Sequence, residues 1–311
     1  MRAFVTGASG FVGPWLRRHL EACGDEVVPA APDLDVTDAD RTAEALIASR
    51  PDAVYHLAAQ SSVGSSWADV SGTFRVNVFG TLHVLDAASA CAARPRVLVV
   101  SSAEVYGEVP PAALPVSETA PFRPQTPYAA SKAAAELTGL QAFLGRGLEV
   151  VRARPFNHTG PGQRPGFVVP ALARQVVEAS LTGATVLKTG NLTARRDFTD
   201  VRDVVAAYRL LIERGAAGEV YNVCTGRSVL LLDLVERLLN LAEANLTIEV
   251  APERLRPVDV PELRGDARRI QEITGWRPAI DLDRTLRDVI DYWRQDMLNG
   301  ERSRPGPSAV W

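Results

Sequence analysis

A phenol and an ammonium one helical turn apart are the clearest chemical signal in this sequence. Tyr128-Ala129-Ala130-Ser131-Lys132 sets Tyr128 and Lys132 at i and i+4, on one face of a helix expected over Tyr128 to Leu144. A cation beside a phenol favours the phenolate, so the pair is expected to lower the Tyr128 pKa and make it a proton donor or acceptor near neutral pH. Of the 34 basic residues only Lys132 and Lys188 are lysine, which marks both as positions where arginine serves less well. A hydroxyl joins them from another segment. The apolar run Val97 to Ser101 leads into Ser102-Ala103-Glu104, and a residue at the carboxyl edge of a parallel strand projects into the crevice where ligands bind. There Ser102 can hydrogen-bond a substrate oxygen beside Tyr128; read otherwise, two serines after a strand only open a turn.

The second signal is a phosphate cradle. Arg2 to Thr6 reads as a strand that runs into Gly7-Ala8-Ser9-Gly10-Phe11-Val12-Gly13, a G-x-x-G-x-x-G turn opening a helix. Such a turn brings backbone amides and a helix N-terminus against a pyrophosphate. The acid that holds the adenosine ribose is expected some way further on, where the chain offers Asp33 and Asp35. The second strand, ending Val28-Pro29-Ala30, carries neither an acid nor an arginine, so NAD and NADP both stay open as the cofactor. Asp35 either lies beside the adenine or caps the helix that starts at Ala39.

These groups must be carried by a scaffold. Short apolar runs at Glu26 to Ala30, Ala53 to Ala59, Val97 to Ser101 and Leu148 to Arg152 alternate with helical patterns at Phe11 to Cys23, Ala39 to Ser49, Ser71 to Ala90 and Tyr128 to Leu144. Continuous apolar strands separated by helices mean a parallel sheet covered on both faces, a Rossmann-type doubly wound α/β fold. The Pro- and Gly-rich stretch Pro155 to Gly166 reads as a loop or crossing. Residues 1–158 are therefore expected to form a dinucleotide-binding domain, to which some later segments return, and 159–311 a smaller mixed α/β substrate domain. In the latter, helices are expected near 170–180, 201–213 with Asp200 as N-cap, 230–244 and 283–296, and strands at Glu219 to Val223 and Thr247 to Val250. The tail from Gly300 is expected to be loose.

Composition narrows the function classes. A net charge of −3 with both signs interspersed gives no basic field for nucleic acid, and no apolar run approaches a membrane span. Met1 to Gly7 reads as strand and turn with no room for a cleavable signal, which points to the cytoplasm. Cys23, Cys91 and Cys224 form no C-x-x-C pair and the four histidines show no ligand spacing, so no metal site is expected.

TGASGFVG, YHLAAQ, NVFGTLHVLDA, SSAEVYG, YAASK and RDFTDVRDV, in this order, resemble the extended short-chain dehydrogenase/reductases that modify nucleotide sugars. RPFNHTGPGQ, GFV, KTGNL, RRDFTDVRD, YNVCTG and LRP-x-x-VP are most similar to the members that reduce GDP-4-keto-6-deoxy-mannose. The resemblance implies Ser102, Tyr128 and Lys132 as the catalytic trio. It also implies Gly7, Gly10, Phe11, Val12, Gly13, Asp35, Val36, Leu57, Ala58, Ala59 and Asn77 around the cofactor, which Tyr128 and Lys132 also reach. On the substrate side it implies Asn157 and Val168 near the sugar nucleotide, Arg196 and Arg256 at the diphosphate, and Lys188 against the base. It further implies a homodimer through a four-helix interface of the helices at 71–90 and 128–144. The alternatives within the family are other nucleotide-sugar dehydratases and epimerases and, nearest, the GDP-mannose 4,6-dehydratase, which carries a glutamate where this chain has Glu104. Against it stand Ala103 in place of a second acid, the short connection after the second strand and the modest length. A dinucleotide-binding sensor without chemistry is the remote alternative, since such proteins commonly lose the Tyr and Lys kept here.

Overall fold

The computed structural model describes residues 1–255 and 258–298; Arg256 and the tail from Gly300 lie outside the described residues. Six strands form the central sheet: β1 (Arg2–Thr6), β2 (Glu26–Pro29), β3 (Ala53–His56), β4 (Arg96–Val100), β5 (Val150–Pro155) and, from late in the chain, β9 (Val220–Val223). All pairings are parallel, in the order β2-β1-β3-β4-β5-β9. Alternate residues feed two cores. Ala53 and Tyr55 of β3 and Leu98 of β4 face one, while Val54, Val97 and Val99 face the other, so the strands are apolar throughout. Helices α1 (Val12–Ala22) and α8 (Val201–Arg214) cover the first face; α2 (Ala39–Ser49) and α5 (Gly80–Ala90) cover the second, with α6 (Pro127–Arg146) reaching both cores. The sheet is thus doubly wound, and its order reverses between β1 and β3, the place where such sheets open a ligand crevice.

A third core binds the remaining elements: α7 (Val168–Thr182), α9 (Leu231–Ala242) and α11 (Leu282–Leu298) pack through Leu172, Val176, Leu234, Leu238, Leu286 and Trp293. Strands β8 (Arg195–Asp200), β10 (Ser228–Leu230) and β12 (Glu262–Leu263) belong, with the segment Asn157–Thr159, to a small four-stranded sheet; β7 (Val186–Thr189) pairs with β11 (Thr247–Val250). Helix α10 (Arg268–Thr274) lies against α8 and β9. The expected cap at Asp200 is present, accepting from the Arg202 amide at 2.8 Å.

Two expectations need correction. The segment Pro155 to Gly166 is not all loop, because Asn157–Thr159 forms β6, paired in parallel with β8 through Asn157↔Phe198. A partner supplied from forty residues away gave no local signal. The expected helix at 71–90 is three pieces, the short helix α4 (Val70–Phe74), a π-helical turn, Arg75–Phe79, and α5, and a further short helix, α3 (Val63–Ala68), precedes them. Sequence periodicity registers a helix but not a change in its winding.

Candidate active site

The carboxyl ends of β1, β3 and β4 open on one edge of the central sheet and carry candidate residues. After β1 the chain turns at Gly7 with φ +65°, and a Cβ there would lie 2.7 Å from the Ala58 amide nitrogen. Only glycine allows the turns after β1 and β3 to touch. A Cβ on Gly13 would meet the Ala8 carbonyl oxygen at 2.2 Å, which closes α1 onto its own entry turn. Gly10 is exposed, its amide bonded to Gly7 O at 3.0 Å. Helix α1 has neither a side-chain cap nor an acid in its first turn, so its N-terminal amides are available to an anion. Phe11 stacks on His158 at 6.2 Å between centroids and walls one side. The cradle fits a dinucleotide pyrophosphate, with Leu57, Ala58 and Ala59 half-buried opposite.

Around it lies a polar frame that the sequence did not reveal. Buried His56 bonds Thr6 Oγ1 through Nδ1 at 2.8 Å and Thr81 Oγ1 through Nε2 at 3.1 Å. Thr81 donates to Asn77 O at 2.6 Å, so it accepts from His56, which assigns the neutral Nε2–H tautomer. Burial, with the Lys132 charge nearby, pulls the His56 pKa down to about 3. Asn77 is buried, and all its amide groups are engaged: Nδ2 donates to Gln60 O and Ser131 Oγ, and Oδ1 accepts from Gln60 N. It thus acts by holding the Gln60 segment against α6. Val36 is buried under Gly80, and Asp35 is exposed. The capping alternative for Asp35 fails: its carboxylate takes the Thr37 amide at 2.9 Å, and Asp38 caps α2 through the Arg41 amide at 3.0 Å.

Helix α6 begins at a Thr126 cap with Pro127 in its first turn, and this start fixes Tyr128 and Lys132. Ser102 stands close enough to the Tyr128 phenol to favour its charged form, and it accepts the Glu104 amide at 3.2 Å at the head of the short turn Ala103–Tyr106. The three expected residues are therefore together, but the expected electrostatics are reversed. Desolvation, with Glu104 adding to it, pushes half-buried Tyr128 up to about 12, against the effect of Ser102. Burial likewise pulls Lys132 down to about 8. Residue spacing foretold the proximity; the sign followed from water exclusion, which spacing does not encode.

Two open cavities extend from this edge, one lined by Glu104, Gly107, Gln125 and Thr126, the other by Asn157, Val168, Leu172, Thr189, Leu231 and Arg254. Arg196 and Asp259 line both. The Arg196 guanidinium holds Asp259 Oδ1 at 2.6 Å and the Val260 carbonyl at 2.6 Å, and Asn191 donates to Asp259 Oδ2 at 2.7 Å. Asn157, Val168 and Arg196 are thus brought to one groove. Lys188 is exposed on β7, one residue before the lining Thr189, and is not itself in the lining. Arg254 and Asp259 were missed, since nothing in the spacing singles out either one; the Arg256 expectation falls outside the described residues.

A dinucleotide cradle at the switch point, joined to a Ser-Tyr-Lys cluster and a groove with a buried arginine, defines an oxidoreductase of the extended short-chain dehydrogenase/reductase type. The chain belongs to the family whose model is described as GDP-mannose 4,6 dehydratase, which matches residues 31–289. It is 40% identical to a GDP-6-deoxy-D-mannose reductase of Pseudomonas aeruginosa over 94% of this chain and 97% of that one. It is 31% identical to a GDP-mannose 4,6 dehydratase of Arabidopsis thaliana over 83% of this chain and 69% of that one. Among solved structures, RMD from Pseudomonas aeruginosa complexed with NADPH superposes with a TM-score of 0.89 at 37% identity, covering 95% of this chain and 99% of that one. Among the described residues no helix is long and apolar enough to cross a membrane, and no group of three His, Cys, Asp or Glu side chains is arranged to hold a metal.

Proposed function

We propose that the protein reduces the 4-keto group of GDP-4-keto-6-deoxy-D-mannose to give GDP-D-rhamnose, in the cytoplasm. The observation that carries this reading is the end-to-end match to the P. aeruginosa reductase, where the dehydratase of A. thaliana is covered over only 69% of its length. Residues 1–158 form the dinucleotide-binding unit, completed by β9, and 159–298 supply the groove for the sugar nucleotide.

NAD(P)H, when bound in this cradle, would supply the hydride that reduction of carbon 4 requires. Gly7, Gly10, Phe11, Val12 and Gly13 seat the pyrophosphate at the head of α1. Asp35 and Val36 would hold the adenine end of the cofactor, and Leu57, Ala58 and Ala59 its nicotinamide end. Tyr128 donates its proton to the oxygen on carbon 4 as negative charge develops there, and the Ser102 hydroxyl hydrogen-bonds the same oxygen. With its pKa raised by burial, the phenol carries its proton at neutral pH, as the acid's part in reduction requires. Lys132 reaches the cofactor ribose and balances the phenolate left behind. Arg196, fixed by Asp259 at the boundary of the two cavities, meets the diphosphate as it crosses from one to the other, joined by Arg256. Asn157 and Val168 face the sugar nucleotide and Lys188 the base edge.

The dehydratase reading keeps one supporting observation, Glu104 in the cavity beside Thr126. Incubation with GDP-4-keto-6-deoxy-mannose and NADH or NADPH, followed by product identification, tests the proposal: GDP-rhamnose is expected, and no coenzyme oxidation refutes it. A homodimer is proposed through α5 and α6 with the π turn, which leave Phe79, Leu137 and Leu144 exposed.

A further inference from the structure

Beneath the Ser-Tyr-Lys cluster lies a buried network that the proposed reaction does not use directly. Glu136 sits one helical turn beyond Lys132 on α6 and is fully buried. Arg154 of β5, also buried, grips it with two bonds, Nη2 to Oε1 at 2.7 Å and Nε to Oε2 at 2.9 Å; Arg152 adds a longer contact at 3.4 Å. The remaining guanidinium arm turns away from α6. Its Nη1 donates to Tyr106 OH at 2.8 Å and to the Glu118 carbonyl at 3.2 Å. Tyr106 OH in turn donates to Asn222 Oδ1 at 2.7 Å, and the Asn222 amide donates to Glu118 Oε1 at 2.8 Å. Tyr106 closes the short turn whose first residue is capped by Ser102. One guanidinium therefore joins the helix that carries Tyr128 and Lys132 to the turn that carries Ser102 and Glu104.

A buried ion pair is weak grounds for stability, because desolvation consumes most of the Coulombic gain; what a planar, bidentate pair supplies is direction. The two elements it connects hold groups whose mutual placement decides proton transfer, and a misplacement on the order of 1 Å costs as much as 10²-fold in rate. We propose that Arg154 is a positioning residue which, through Glu136 and Tyr106, fixes α6 against the Ser102 turn, and that Glu136 maintains the charge on Lys132. The inference rests on the assignment of Ser102, Tyr128 and Lys132 made above. The groups facing Lys132 are consistent with it: neutral His56 from β3, Tyr128 on its own helix, Glu104 beyond Tyr128 on the turn, and Glu136 backed by Arg152 and Arg154 on β5. Among them Glu136 is the charge that opposes the effect of burial on Lys132.

The scarcity of lysine supplies a direct test that needs no substrate. Protein labelled with ¹³C at lysine Cε has two resonances, from Lys132 and Lys188, and a Lys188→Arg variant assigns them. In Glu136→Gln the Lys132 titration midpoint is expected below that of the wild type, and Glu136→Asp is expected to restore it. Tyr106→Phe removes one hydroxyl and keeps the ring, so it reads the tie to the turn even where a Glu136 variant does not fold. It is expected to leave the Lys132 midpoint in place and lower kcat about tenfold, with KM for coenzyme and keto sugar unchanged. An unmoved midpoint in Glu136→Gln, or wild-type kcat in Tyr106→Phe, overturns the proposal. If the wild type does not reduce the keto sugar, the proposed function fails, and the lysine titration alone decides the network.

Discussion

Replacing Gly7 with alanine tests whether contact between the turns after β1 and β3 shapes the cofactor cradle. Gly7 has φ +65°, and placing a side chain in that conformation costs about 1–2 kcal/mol. The new Cβ would stand 2.7 Å from Ala58 N, 2.8 Å from Ala58 Cα and 2.9 Å from Leu57 C, all backbone, with ordinary contact starting near 3.4 Å. No rotamer relieves a clash with backbone, so the turn after β3 must retreat by about 0.7 Å; with the strain this gives a loss of about 2–4 kcal/mol. Because the displaced residues include Leu57 and Ala58, dinucleotide affinity should fall more than about tenfold, or 1.4 kcal/mol. Gly147→Ala is the control: its φ is +62°, but nothing lies within 4 Å of its Cβ. It should cost about 1 kcal/mol and leave dinucleotide binding unchanged. Urea unfolding and fluorescence titration with NADPH and NADH measure both quantities. Wild-type affinity in Gly7→Ala, or an equal loss in Gly147→Ala, would refute the reasoning.

Tyr128→Phe should lower turnover by on the order of 10²- to 10⁴-fold while dinucleotide binding, read by fluorescence, stays intact; near-normal turnover would remove Tyr128 as the acid. Glu104→Gln should keep ketone reduction within about tenfold, since no proton leaves carbon 5 in that reaction; conversion of GDP-mannose to a 4-keto product, abolished by the same change, would move the assignment to the dehydratase. His56 titrates near 3 when folded and near 6.5 when free, so between those values the unfolded chain binds a proton that the folded chain refuses. Stability should therefore rise with pH across that window, by up to about 5 kcal/mol, and urea midpoints should show a flatter slope in His56→Asn; equal slopes would exclude His56 as the source. Light scattering at micromolar concentration should give a dimer that Leu144→Glu weakens, and a monomeric wild type would end that proposal.

What was legible in the sequence was local. The i, i+4 pair Tyr128 and Lys132, the glycine turn and the alternation of apolar strands with helices each lie within a few residues, and the fold returned them as expected. What was not legible depends on distant partners. Arg196 finds Asp259 and Arg154 finds Glu136 across folded space, and β6 exists because β8 lies beside it. The direction of the Tyr128 and Lys132 shifts belongs to the same class, since burial is a property of everything packed around them. Arg254 shows a third limit: in a segment rich in arginine, residue type alone does not single out a residue that lines the groove.

The π turn at Arg75–Phe79 amounts to a tolerated one-residue insertion. A π turn takes up more residues than an α turn, so α5 is rotated by about 100° relative to the course of a continuous α-helix. In the present register Asn77 points inward to Gln60 and Ser131, Gly80 meets Val36 and Thr81 reaches His56, while Phe79 faces out. Deleting a single residue between Arg75 and Phe79 would give a more regular helix and a worse protein. Either the Asn77 side or the Thr81 side of the frame would swing off its partners, and the apolar face bearing Phe79 would turn with it. For protein design, this irregularity should be copied rather than idealised.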